Sequence, residues 1–222
     1  MVEIAIMPSP LGHALGGIAV AWAADLVPGN RAARSAPAAA PFYARAGGAL
    51  TLVCAALGAA PDLDLLLGSH VFYVTRHRTA THSVTAVLLV MIVAAAVTGR
   101  VTRRNGLSPA RVVGMCGAAY ASHLLLDWLG IDRNPPSGLQ MLWPWSQTWF
   151  ISGLDIFRQT ELRHFFTLST MRVNALAMAS ETALLLPLLG ALWLVRVKAL
   201  AALPPQLARR DHPAQQRTLP VL

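Results

Sequence analysis

Five apolar runs dominate this sequence, at residues 11–26, 47–67, 83–98, 112–129 and 173–197. A helix that crosses a bilayer needs about 20 apolar residues. The second, fourth and fifth runs reach or approach that length. The first and third are short, and are expected to tilt, to borrow flanking residues or to sink against their neighbours. Only 13% of residues are charged and 55% are hydrophobic, against about 25% charged in a soluble globular domain. A chain of 222 residues has too little core to hide that excess, because small domains leave much of their surface wet. The fold expected is all-α: a polytopic membrane helix bundle of about five apolar helices.

The segments between the runs read as loops. Residues 27–45 hold Pro28, Gly29, Pro37, Pro41 and three arginines, and residues 99–111 hold Gly99, Gly106, Pro109 and four arginines. Residues 130–172 are the longest polar stretch, with a turn around Pro135 and Pro136. Trp143, Trp145, Trp149 and Phe150 in that stretch suit an aromatic belt at a membrane interface. Residues 1–203 are expected to form one membrane-embedded domain and residues 204–222 a disordered basic tail. The first ten residues lack a basic leader pattern, so the first helix is expected to persist in the mature protein. Cys54 and Cys116 lie inside apolar runs with no Cys-x-x-Cys spacing, which favours buried packing over a disulfide.

The net charge of +8 fits a membrane protein better than a nucleic-acid binder. Most of the 18 Lys and Arg fall in residues 27–45, in residues 99–111 and near the C-terminus, all on one side of a five-span bundle. The positive-inside rule makes that side cytoplasmic. The N-terminus and the loops at 68–82 and 130–172 would then face the periplasm. No aromatic-interleaved basic groove is present, and no nucleic-acid partner is expected.

Placing the ionisable residues on this map concentrates them at one bundle end. His13 opens the first run. Asp62 and Asp64 close the second. His77 and His82 precede the third. His123 and Asp127 close the fourth. Ionisable groups in membrane helices are costly unless paired, and a divalent cation satisfies neutral imidazoles and carboxylates together. His123 and Asp127 are four residues apart and share a helical face. His77 and His82 are five apart, about 140° around an ideal helix, so one or both belong to a loop, with Thr81 placed to cap the third helix. Asp62 and Asp64 suit a pair bridging two metals, or one ligand with one supporting partner. Arg78 suits an anionic substrate, or a salt bridge to Asp62 or Asp64. Asp155 and His164 are loop residues able to add a ligand. Glu181 sits inside the fifth run with no evident partner, away from the metal-bearing end.

His13 in Ser9-Pro10-Leu11-Gly12-His13, Pro61-Asp62-Leu63-Asp64, His77-Arg78 followed by Thr81-His82-Ser83, and Ser122-His123 with Asp127 occur in an order that resembles the YdjM-like inner-membrane family of metal-dependent hydrolases. The resemblance covers roughly residues 8–155. In motif order this family is similar to the zinc-dependent phospholipase C and P1 nuclease group, which hydrolyses phosphoesters with clustered His and Asp on up to three zinc ions. The resemblance implies His13, Asp62, His77 or His82, His123 and Asp127 as ligands of one to three Zn2+ or other divalent ions.

The function expected is therefore that of an inner-membrane metal-dependent hydrolase, with the site facing the periplasm and the C-terminus cytoplasmic. Its partners would be membrane lipids and a small or lipid-like phosphoester. Metal-activated water would attack the ester, Asp64 would act as general base, and Arg78 would steady the anionic transition state. The alternatives are a non-catalytic, metal-stabilised scaffold with a closed coordination shell, and a metal or proton transporter.

Overall fold

A computed structural model of the chain describes residues 5–6, 8–27, 47–67, 77–101, 108–133, 135–161 and 164–201. The arginine-rich stretches at 31–45 and 103–104, His70, Arg76 and the tail 204–222 lie outside the described residues. Among the described residues the chain is mostly helical, as its hydropathy requires. Five main helices are present: α1 (Pro10–Ala24), α2 (Gly48–Ala59), α3 (Val84–Val101), α4 (Pro109–Leu129) and α5 (Leu168–Ala201). A 3-10 turn, Ala60–Leu63, and one further helical turn, Asp64–Leu67, continue from α2.

Local sequence sets the helix starts. Ser9 caps α1, its hydroxyl accepting from the Gly12 amide at 3.3 Å, and Pro10 follows where a missing N–H costs nothing. Ser83 begins α3, with its Oγ accepting from Ala86 N at 3.2 Å. The cap is therefore Ser83 and not Thr81, whose hydroxyl is drawn into the site described below. Pro109 likewise opens α4.

Two of the helices, Pro109–Leu129 and Leu168–Leu200, are long and apolar enough to cross a membrane. The runs Pro10–Ala24, Gly48–Leu63 and Val84–Thr98 are shorter apolar helices. Large apolar side chains stand exposed along α3 (Leu89, Ile92, Val93) and α5 (Leu176, Leu188, Leu194). Water does not tolerate so extended an apolar surface on a monomer, whereas lipid does.

Helix α1 packs on α2, α4 and α5, and α4 packs on α1, α2 and α3. Ala21, Cys54, Met115 and Ala119 form the core where α1, α2 and α4 meet. Both cysteines are free and buried. Small residues bring α1 and α2 into backbone contact: a Cβ on Gly17 would lie 2.1 Å from Cys54 O, and one on Gly58 would lie 2.4 Å from His13 O. That approach sets the first turn of α1, carrying His13, against the turn that carries Asp62. Residues 130–167 are not simply a loop. β1 (Ala5–Ile6) pairs antiparallel with β2 (Thr160–Glu161), and Asn174 of α5 brackets Glu161 with two side-chain hydrogen bonds.

Candidate metal centre

Five of the seven residues singled out from sequence meet at one end of the helices. His13 comes from the first turn of α1, Asp62 from the 3-10 turn after α2, His82 from the turn before α3, and His123 and Asp127 from the last two turns of α4. The three imidazoles are fully buried, and Asp62 and Asp127 nearly so.

Four ligand atoms form a compact set. His82 Nε2 and His123 Nε2 lie 3.1 Å apart. His82 Nε2 is 3.5 Å from both Asp62 Oδ1 and Asp127 Oδ2. His123 Nε2 is 3.5 Å from Asp62 Oδ1 and 3.3 Å from Asp127 Oδ2. A tetrahedral zinc with bonds of 2.0–2.1 Å has ligand atoms about 3.3–3.4 Å from one another, and these five separations are of that size.

The imidazole protons sharpen this reading. His123 Nδ1 lies 2.8 Å from the Gly58 carbonyl, which can only accept, so Nδ1 carries the hydrogen. Gly58 belongs to the last turn of α2. The Thr81 hydroxyl donates to Asp64 Oδ2 at 2.6 Å. Its one proton is thereby spent, and it must accept from His82 Nδ1 at 2.9 Å. With Nδ1 protonated on each ring, the neutral form of either histidine turns an Nε2 lone pair toward the other. Burial pushes the His82 imidazole down to about 4, against the opposing pull of Asp62, so at neutral pH it is an uncharged donor of the kind metals bind.

His13 completes the cluster from the side of the other carboxylate oxygens. Its Nε2 is 3.2 Å from Asp127 Oδ1 and 3.8 Å from Asp62 Oδ2. Its ring stacks on His123, with centroids 3.6 Å apart and an 18° interplanar angle. Two trios can each hold an ion, His13 with His123 and Asp127, and Asp62 with His77 and His82; within each, the ligand atoms lie within 4.8 Å of one another.

The remaining candidates sit around this centre. His77 Nδ1 donates to Asp64 Oδ1 at 2.9 Å, and both side chains are partly accessible. His77 thus shares a metal-capable trio with Asp62 and His82 while its Nδ1 is engaged by Asp64. Arg78 pairs with Asp132, which also accepts from Gly138 N at 2.7 Å, rather than with Asp62 or Asp64. Asp155 and His164 are exposed, and neither belongs to a metal-capable trio among the described residues. Glu181 departs from the sequence reading. It is buried and accepts from Ser9 N at 2.8 Å and from the Ser9 hydroxyl, next to the turn that carries His13. An acid inside an apolar helix was a sufficient signal that a partner existed. Ser9 was readable as a helix cap, but nothing in the sequence joined the two. Thr81 and Asp132 gave no signal of their roles.

The family described as YdjM inner membrane protein matches residues 7–202. The chain belongs to that family. The match takes in all five helices and every residue of the buried centre. It also agrees with the two membrane-length helices in placing the protein in a membrane. No curated protein and no solved structure matches the chain.

Proposed function

We propose that this YdjM family member is a metal-dependent hydrolase, that its ion is zinc, and that it cleaves phosphoesters of lipids or other amphiphiles. The observation that carries the reading is the convergence of His82 Nε2 and His123 Nε2, 3.1 Å apart, on the carboxylates of Asp62 and Asp127. A cation between the two nitrogens would take both neutral imidazoles as ligands, and the carboxylates would balance its charge. His82, His123, Asp62 and Asp127 would hold the ion. A bound divalent cation supplies electrophilic polarisation and lowers the pKa of water toward 7. Gly58 O and Thr81 orient the two imidazoles. Asp64 and His77, the most accessible acid–base pair of the cluster, are placed to accept and pass on a proton. Arg78, held by Asp132, fixes the turn that carries His77.

All five helices would cross the inner membrane, with the centre toward the periplasm and the C-terminus in the cytoplasm. Exposed Trp143, Trp145, Phe165 and Phe166 around the 141–167 segment suit the headgroup layer, which favours an amphiphilic substrate. The test is hydrolysis of a panel of phosphomonoesters and phosphodiesters, including phospholipids, by zinc-loaded protein. The wild type should turn over at least one class, and His123→Ala should lose about two orders of magnitude or more in rate. No turnover, or turnover indifferent to His123, overturns the hydrolase reading.

One observation favours a second reading. Four protein donors close a tetrahedral zinc site, as structural zincs are closed. The protein would then be a metal-stabilised scaffold. X-ray absorption separates the two, since the hydrolase requires at least one non-protein oxygen on the metal.

A further inference from the structure

Away from the metal centre, the residues that follow α4 and those that lead into β2 lie side by side. Gly130 pairs with Phe157 in parallel, and Ile131 N donates to Phe157 O at 2.9 Å. The pairing brings Arg133 and Arg158 to one cavity of about 360 Å³, which Val173 and Leu176 of α5 also line. Sites for small ligands begin at about 300 Å³. Glu161 is a further wall of the cavity. Asn174 takes its amide at 2.7 Å and its carbonyl at 2.8 Å, so the carboxylate is the polar group of Glu161 left for a ligand.

Charge and polarity then describe the occupant. Arg78, Arg111 and Arg196 each meet an aspartate. Among the described residues, no hydrogen bond or ion pair holds the Arg133 guanidinium, the Arg158 guanidinium or the Glu161 carboxylate. Two guanidiniums on one cavity, neither neutralised, suit an anion, and their planar forks match the oxygens of a phosphate. A carboxylate beside them suits an ammonium group. Val173 and Leu176 are exposed and offer apolar contact. They belong to the first three turns of α5, whose membrane-length stretch has 33 residues. Such a helix is about 50 Å long against about 30 Å of hydrocarbon, so its ends reach the headgroup layers.

We propose that this cavity binds the headgroup of an aminophospholipid, with the phosphate on Arg133 and Arg158, the primary amine on Glu161 and the acyl chains against Val173 and Leu176. No residue of the metal centre lines the cavity, and the site stands whether or not that centre is a catalyst. A choline headgroup lacks the N–H donors that Glu161 would accept, and a glycerol headgroup lacks the positive charge.

Native mass spectrometry of the full-length protein in detergent tests this, with phosphatidylethanolamine, phosphatidylcholine and phosphatidylglycerol of matched chains added one at a time. The wild type should hold one phosphatidylethanolamine more tightly than either other lipid. Arg133→Ala combined with Arg158→Ala should weaken that adduct about tenfold or more, the scale of losing charge-assisted hydrogen bonds. Glu161→Gln should still bind lipid but lose the preference for ethanolamine over choline. Arg172→Ala, which removes an exposed arginine of α5 outside the cavity, should change nothing. Equal binding of the three lipids by the wild type, or a preference for phosphatidylglycerol, overturns the headgroup assignment. An adduct indifferent to the arginine pair, or weakened as much by Arg172→Ala, overturns the cavity as its site. The ranking of the lipids is read on the wild type alone, so a poorly folding variant still leaves a decisive result.

Discussion

Ligand orientation here depends on side chains that bind no metal. Thr81 is the clearest case. Its single hydroxyl donates to Asp64 and accepts from His82, which fixes the His82 tautomer and ties the metal-facing ring to the outer acid. Partners of this type commonly contribute about 10–100-fold to metal affinity. Thr81→Val, which keeps the shape and removes the hydroxyl, is expected to weaken zinc binding by that order in competition with a chromogenic chelator. Thr81→Ser should restore most of it. The residue types and spacings in the sequence were enough to select His13, Asp62, His82, His123 and Asp127, because each lies at the same end of its run. Thr81 and the Gly58 carbonyl were not legible. Their roles depend on how two backbones approach in space, and a hydroxyl or a peptide oxygen carries no mark of that in the sequence. The same holds for Arg78, whose partner Asp132 lies 54 positions away.

Helices α1 and α5 are joined at both ends. Ser9 meets Glu181 at the site end, and Asp25 meets Arg196 at the other, with Nε to Oδ2 at 2.7 Å. The two helices therefore run parallel. Arg111 from the start of α4 bonds the same Asp25, so one buried carboxylate holds three helices. Removing one partner from a buried ionic group costs about 3–5 kcal/mol. Asp25→Ala is expected to destabilise the protein by that order, read as an earlier thermal transition in detergent, and to leave metal stoichiometry intact in the surviving folded fraction. Gly17 makes a second test of this scale. A Cβ there would stand only 2.1 Å from Cys54 O, so backbone faces backbone and no side chain can yield. Gly17→Val should force α1 from α2 and lower both thermal stability and zinc affinity, since His13 and Asp62 ride on those two elements. Neither the triad nor the glycine contact was legible in the sequence, whereas the helix positions were, because hydropathy alone sets them.

On the proposed topology, α5 sets the depth of the centre in the membrane. From Glu181, level with His13, to Ala201 is about 30 Å of helix at 1.5 Å per residue, which matches the hydrocarbon thickness of a bilayer. With all five helices across the bilayer as proposed, the candidate centre would lie near one hydrocarbon boundary, with the aromatic residues of the 141–167 segment beside it and the Asp25–Arg111–Arg196 cluster near the opposite boundary. On that topology the arginine bias would make the latter boundary cytoplasmic. Single cysteines test the orientation, because native Cys54 and Cys116 are buried and contribute little background. Leu63, beside Asp62, and Val27, beyond the end of α1, are both exposed. A membrane-impermeant thiol reagent should label Leu63→Cys in intact spheroplasts, and Val27→Cys only after permeabilisation. The reverse pattern would put the centre on the cytoplasmic face. Its substrate would then be an inner-leaflet or soluble phosphoester, while the ligand geometry would stand unchanged.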